Sequence, residues 1–163
     1  MQVEEVKQVW LVGIGGIGMS ALARYFHREG KPVAGYDRRP SGVTEALESE
    51  GISVFFDSSP DCIAPVFRAP RHTLVIYTPA VEQEQEQLVW FRKQGFEVLK
   101  RAQVLGMLSA RKEAVCIAGT HGKTTISTLT AHLFRQSKVG CTAFLGGISK
   151  NYHSNFLWDE QSP

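Results

Sequence analysis

No run of about 18 apolar residues occurs anywhere in the chain, so no segment is long enough to cross a bilayer as a helix. The opening Met1-Gln2-Val3-Glu4-Glu5 lacks the basic and apolar regions of a secretory signal, and the expectation is a cytoplasmic protein without membrane insertion. Cysteine is scarce. Cys62, Cys116 and Cys141 are far apart and show no paired spacing, which argues against a disulfide framework or a zinc site and leaves reduced, buried thiols as the expectation. A large charge of one sign is also missing, and a net charge of +2 gives no electrostatic case for nucleic acid as a partner. There is no internal repeat and no low-complexity tract. The 43% hydrophobic and 21% charged content is that of an ordinary globular protein, and 163 residues suffice for one well-buried core and part of a second.

What is present is an alternation of strands and helices. A strand over Gln8–Val12 runs into Gly13-Ile14-Gly15-Gly16-Ile17-Gly18, and a helix follows over 19–28. A second strand over 32–36 ends at Asp37, a helix over 43–50 closes on Gly51, and a third strand covers 52–56. Pro60, Pro65 and Pro70 mark 57–72 as loop with at most a short helical turn. Thr73–Tyr77 is a continuous apolar strand of the kind buried in parallel sheets. A segment over 82–94, polar at first and then helical, a short strand over 97–99 and a helix over Arg101–Ser109 complete a unit that ends at the charged junction Arg111-Lys112-Glu113.

The expected fold class is therefore α/β: a Rossmann-like, mainly parallel sheet over 1–111 with helices on both faces. Residues 112–163 read as the start of a P-loop α/β ATPase domain, with a strand over 114–118, a helix over 125–135 and a strand over 142–145 ending in Gly146-Gly147. Ile126, Leu129, Leu133 and Phe134 trace one face of that helix. The closing Trp158 to Pro163 reads as a cut, so the expectation is an amino-terminal fragment of a longer enzyme.

Two glycine-rich turns carry the chemistry. Gly119-Thr120-His121-Gly122-Lys123-Thr124-Thr125 sits between the expected strand and helix, where backbone N–H groups fold around an anion at the positive end of the helix. Lys123 would reach the outer phosphates and Thr124 would hold Mg²⁺. The usual loop has a glycine five residues before Gly122. Ile117 stands there, so the match is to a shorter variant. The second turn places Gly13, Gly15 and Gly18 in G-x-G-x-x-G spacing, with Asp37 nineteen residues beyond Gly18. That pattern suits a dinucleotide, and equally the diphosphate of a nucleotide sugar, because such a loop recognises phosphates and not what they are attached to. A dehydrogenase has no need of a Lys-Thr loop, whereas an enzyme that activates a nucleotide-linked substrate with ATP needs both sites. The rival is a nicotinamide-binding module in which Arg38 and Arg39 accept a 2′-phosphate.

The shortened ATP loop resembles that of the Mur ligases, the cytoplasmic amide-forming enzymes of peptidoglycan synthesis. The resemblance extends over nearly the whole chain: the Gly13 loop, Asp37, Tyr77-Thr78-Pro79-Ala80-Val81, Arg101-Ala102 and Phe144-Leu145-Gly146-Gly147. One segment departs from it, since Asp57-Ser58 stands where many relatives have Gly-His, and no binding role is carried onto that position. His121 is similar to the residue in members that add L-alanine to UDP-N-acetylmuramate and in members that recycle murein tripeptide, and Val12 to Ser20 resembles the former more closely.

The resemblance implies a reaction in which the lactyl carboxylate of UDP-N-acetylmuramate attacks the γ-phosphate of ATP and L-alanine then displaces phosphate from the acyl phosphate. It implies ATP contacts from Gly119, Thr120, His121, Gly122, Lys123, Thr124 and Thr125, with Lys123 and Thr124 catalytic and Thr124 on Mg²⁺. UDP-sugar contacts are implied for Gly15, Gly16, Ile17, Gly18, Met19, Ser20, Asp37, Thr78, Pro79 and Ala80. Asp37 has two open roles, binding the ribose or uracil end or capping the 41–50 segment. His121 either approaches a phosphate or is an exposed loop side chain. Lys150, Asn151, Tyr152 and His153 are expected near the sugar. His27, His72 and His132 carry no assigned role, and the Trp and Phe residues are expected in the core.

Overall fold

The computed structural model describes residues 5–137 and 139–162; of the opening segment only Glu5 lies within them, and Pro163 lies outside. Five parallel strands form the main sheet: β1 (Gln8–Val12), β2 (Val33–Tyr36), β3 (Ser53–Phe55), β4 (Thr73–Tyr77) and β5 (Glu97–Lys100), in the order β3-β2-β1-β4-β5. Four helices connect and cover them, α1 (Ile17–Arg28), α2 (Gly42–Ser49), α3 (Glu86–Lys93) and α4 (Arg101–Ser109). The proline-rich 57–72 stretch holds two short 3₁₀ turns, Pro60–Cys62 and Pro65–Arg68. Strand order reverses between β1 and β4, and in open α/β sheets ligands gather at the carboxyl ends of the strands flanking such a switch.

Alternation along β1 and β4 sorts two cores, because successive side chains of a strand point to opposite faces. Val9, Leu11, Leu74 and Ile76 join Leu22, Phe26, Leu47 and Val104 under α1, α2 and α4. Trp10, Val12, Val75 and Tyr77 join Ile63, Phe67, Leu88 and Phe91 under α3 and the 3₁₀ turns. Trp10 is fully buried, and its indole N–H donates to Gln87 Oε1 at 3.1 Å, which meets the need of a buried Trp for a polar partner. Trp10, Phe26 and Phe91 lie in the core as expected; Trp90 and Trp158 are half-buried.

Beyond residue 111 the structure corrects the sequence in three places. The apolar run over 114–118 forms no strand, and Val115 is 64% exposed, because no strand among the described residues lies beside it to complete a ladder. Helix α5 (Lys123–Gln136) forms as expected, yet Ile126, Leu129 and Leu133 face outward, while Ala131 is the buried residue. The next strand, β6 (Ala143–Ser149), runs through Gly146-Gly147 instead of ending there. It pairs antiparallel with β7 (Ser154–Leu157), a strand absent from the sequence reading.

This hairpin packs against α1 on one side and α5 on the other. Tyr25 of α1 meets Phe144 and Trp158, each with ring centroids 5.6 Å apart, and Leu145 and Leu157 close on Ala131. The paired Phe144 and Phe156 rings are 5.3 Å apart, so aromatic area covers the junction between the sheet unit and the second phosphate loop.

Candidate functional site

The first glycine turn is built by the end of β1 and the start of α1. Gly13 takes φ +85°, and the N–H groups of Gly13 and Ile14 both donate to Tyr36 O, at 2.8 and 3.0 Å, which ties the turn to the end of β2. Gly16 caps α1 without a side-chain bond, and its carbonyl accepts from Met19 and Ser20. The amides of Ile17 and Gly18 are first-turn donors with no acceptor among the described residues, the arrangement that favours an anion at a helix start.

Asp37 has a defined place. Its Oδ2 accepts the Gly15 N–H at 2.7 Å and its Oδ1 accepts the Arg38 N–H at 2.7 Å, so the carboxylate clamps the glycine turn to the end of β2. The alternative of capping α2 is excluded by the structure. Ser41 is the N-cap there, in a capping box with Thr44.

Met19 and Ser20 are almost wholly buried, with their amides on Gly16 O; Met19 lines the cleft at this turn, and Ser20 does not. Thr78 does reach it: a Cβ at Gly13 would lie 2.7 Å from Thr78 Cγ2, so this residue at the end of β4 packs directly on the turn. Pro79 and Ala80 continue outward as an exposed turn. Arg101 was not among the expected contacts, although it follows the carboxyl end of β5, the end of a sheet where ligands collect. A Cβ at Gly18 would lie 2.8 Å from Arg101 Nη1, so the guanidinium lies over the open first turn of α1.

The second turn leads into α5. Gly122 is its N-cap in the left-handed conformation at φ +74°, and Lys123, Thr124 and Thr125 form the first turn. Lys123 Nζ donates to Gly119 O at 2.6 Å and Thr120 O at 3.2 Å, so the ammonium is held over the loop it belongs to. Residues 119–125 are exposed, His121 among them. Thr124 stands against β6: a Cβ at Gly146 would lie 2.8 Å from Thr124 Oγ1, a close approach that glycine alone permits.

A cleft of about 370 Å³ lies between the first turn and β6. Gly16, Ile17 and Gly18 line one side with Thr78 and Arg101, and Phe144, Leu145 and Gly146 line the other. Gly146, at the far wall of the cleft, packs on Thr124 at the start of α5. Lys150, Asn151, Tyr152 and His153 form the β6–β7 turn and do not line this cleft; Tyr152 instead shares a 2.7 Å hydrogen bond with His132 Nδ1. No group of three or more His, Cys, Asp or Glu able to cage a metal exists among the described residues. A Mg²⁺ held by one hydroxyl, phosphate oxygens and water needs no such cage.

The thiols sit outside the cleft. Cys62 and Cys141 are half-buried, but Cys116 is exposed, which corrects the expectation of three buried cysteines. Desolvation raises the Cys62 pKa, helped by a hydrogen bond to Asp57 and by the charges of Asp57 and Asp61. Desolvation and Asp159 raise that of Cys141 against a lowering by Arg135.

The α/β fold thus carries two glycine turns that each open a helix, one at the sheet switch before α1 and one, with Lys123 and Thr124, before α5. The chain belongs to the Mur ligase family: the family model described as "Mur ligase family, catalytic domain" matches residues 8–113. It is 55% identical over 99% of its length to UDP-N-acetylmuramate–L-alanine ligase of Phocaeicola vulgatus, and 53% identical over 96% to the enzyme of that name from Porphyromonas gingivalis. It covers 35% and 34% of those two proteins, so it spans about a third of the length of the curated relatives it matches. Among solved structures, the UDP-N-acetylmuramate-alanine ligase of Thermotoga maritima matches 91% of the chain at 33% identity with a TM-score of 0.83, the chain covering 34% of that protein.

Proposed function

We propose that this chain carries the UDP-sugar site and the ATP loop of a cytoplasmic ligase that joins L-alanine to UDP-N-acetylmuramate in peptidoglycan synthesis. Residues 1–111 form the UDP-sugar domain, and residues 112–163 open the ATP-binding domain. The observation that carries this reading is the cleft lined by Ile17, Gly18 and Gly146, with Gly146 packed on Thr124 of the second turn. The curated relatives support L-alanine as the amine.

In this reading the diphosphate lies on the first turn of α1, where the Ile17 and Gly18 amides donate and Arg101 adds a compensating charge. Asp37 keeps Gly15 in the shape that exposes those amides, and its remaining lone pairs are open to a ribose hydroxyl. The sugar follows β6, bringing its lactyl carboxylate toward Thr124 and Lys123. Lys123 leaves its two loop carbonyls for the phosphates, and the amides of residues 122–125 take the remaining oxygens. The Thr124 hydroxyl would hold Mg²⁺, which would supply neutralisation of charge at the phosphates. The carboxylate attacks the γ-phosphorus with ADP as leaving group, and the amine of L-alanine displaces phosphate from the resulting acyl phosphate.

Calorimetry and an ADP-release assay on the complete ligase test the reading. UDP-N-acetylmuramate binds, and ADP appears when L-alanine is added. Binding of NADP without the UDP-sugar would overturn the class, and turnover with free murein tripeptide but not L-alanine would overturn the amine.

A further inference from the structure

A buried polar cluster lies behind the cleft and belongs to neither phosphate loop. Asn155 of β7 is fully buried, and its whole carboxamide is used. Its Nδ2 donates to Ser20 Oγ at 2.9 Å and to Ile17 O, both in the first turn of α1. Its Oδ1 accepts from Arg24 Nη1 at 2.5 Å. Arg24, itself 7% exposed, is fixed from its other edge by Glu50, whose carboxylate accepts from Nε and Nη2 at 2.8–2.9 Å. This fork leaves the Asn155 amide only one orientation: an exchange of its oxygen and nitrogen would put N–H against guanidinium and oxygen against the Ile17 carbonyl.

The other strand of the same hairpin touches the ATP loop. Phe144 of β6 pairs with Phe156, next to Asn155, and Gly146 two residues on is packed on Thr124. The hairpin therefore grips the helix turn that presents the Ile17 and Gly18 amides and, through Gly146, the helix turn that presents Lys123 and Thr124. Ile17 is the shared point, since its carbonyl is held by Asn155 while the residue lines the cleft and its amide has no acceptor among the described residues.

We propose that Asn155 is a positioning residue that couples the two phosphate sites, so that filling one preorganises the other through the β6–β7 hairpin. The inference rests on the ligase reading above. Phosphoryl transfer depends mainly on positioning, and two sites carried by separate helices need a rigid connection if the carboxylate is to meet the γ-phosphorus. Coupling through a polar contact of this kind requires both ends to be fixed to the same element, which the hairpin supplies.

The test is the affinity of the complete ligase for UDP, measured by calorimetry with and without Mg²⁺ and a non-hydrolysable ATP analogue. In the unaltered protein the analogue tightens UDP binding about 5-fold or more, in the usual range of coupling between sites. In Asn155→Ala the analogue leaves the UDP affinity unchanged, although each ligand still binds alone. A purely structural role would lower the melting temperature and weaken both ligands while leaving that ratio as it was, so a retained ratio in Asn155→Ala overturns the proposal. Absence of coupling in the unaltered protein overturns it as well. If Asn155→Ala does not fold, Ser20→Ala removes one acceptor of the same contact and reduces the ratio; an unchanged ratio there has the same force. Failure of the unaltered protein to bind UDP, with NADP binding in its place, would instead remove the ligase reading.

Discussion

In the proposed site Lys123 and Arg101 supply positive charge at separate phosphate positions, Lys123 in the loop before α5 and Arg101 over the first turn of α1. Lys123 is folded onto Gly119 O and Thr120 O, so removing it leaves the α1 site untouched. Lys123→Ala is expected to lower the rate of ADP release by about 10²–10³-fold, the loss typical of one preorganised charge-stabilising donor, with UDP affinity unchanged by calorimetry. Arg101→Ala has the opposite pattern. A hydrogen bond to a charged group contributes about 1.5–3 kcal/mol, so UDP affinity falls about 10-fold or more while ATP-analogue binding stays the same. Equal losses of both ligands in either variant would contradict this division. The cysteines give a third residue-level outcome. With the thiols of Cys62 and Cys141 pushed up, mainly by desolvation, fewer of them are thiolate at pH 8, and exposed Cys116 is expected to be alkylated first in a peptide-mapped time course.

At the scale of elements, the close approach of β1 and β2 depends on Gly35, where a Cβ would lie 2.2 Å from Leu11 O. Gly35→Ala forces those strands apart in the middle of the sheet and is expected to lower stability by about 1–3 kcal/mol in a denaturant titration, the usual cost of overpacking a core. An unchanged midpoint would mean that the sheet relaxes freely there. The elements that position the first site were legible in the sequence for the same reason they are stable. β1 and β4 are apolar on both faces because both faces are covered, and α4 begins directly at the end of β5. The 114–118 run and the Ile126, Leu129 and Leu133 stripe carry correct local patterns without partners among the described residues, so burial could not be read from them. β7 was hidden because the β6–β7 turn, Lys150 to His153, has no glycine or proline, and His153 takes φ +50° without such a signal. Asn155 and Arg24 have no motif at all; their importance arises only when β7 lies beside α1.

Across the whole molecule, cohesion is unequal. The five-strand sheet is covered on both faces, the hairpin is held between α1 and α5, and residues 113–121 run between these regions with no backbone–backbone hydrogen bond among the described residues. Local opening costs little where few contacts must break, and amide hydrogen exchange reads this difference directly. Amides of Trp10, Leu11, Val75 and Ile76 are expected to exchange slowest, in step with global unfolding, because their ladders lie in the middle of the sheet under two cores. Amides in β6 and β7 should be intermediate, protected by their single pairing and by the aromatic contact with Tyr25. Amides 113–121 should exchange within the shortest labelling time. Adding Mg²⁺ and an ATP analogue should then slow residues 119–125, whose N–H groups point at the phosphates in the proposed site, without slowing 113–118, which have no ligand to meet. Protection spreading through 113–118 would mean that this segment joins a sheet when nucleotide binds. Protection of neither stretch would show that the loop does not take the anion.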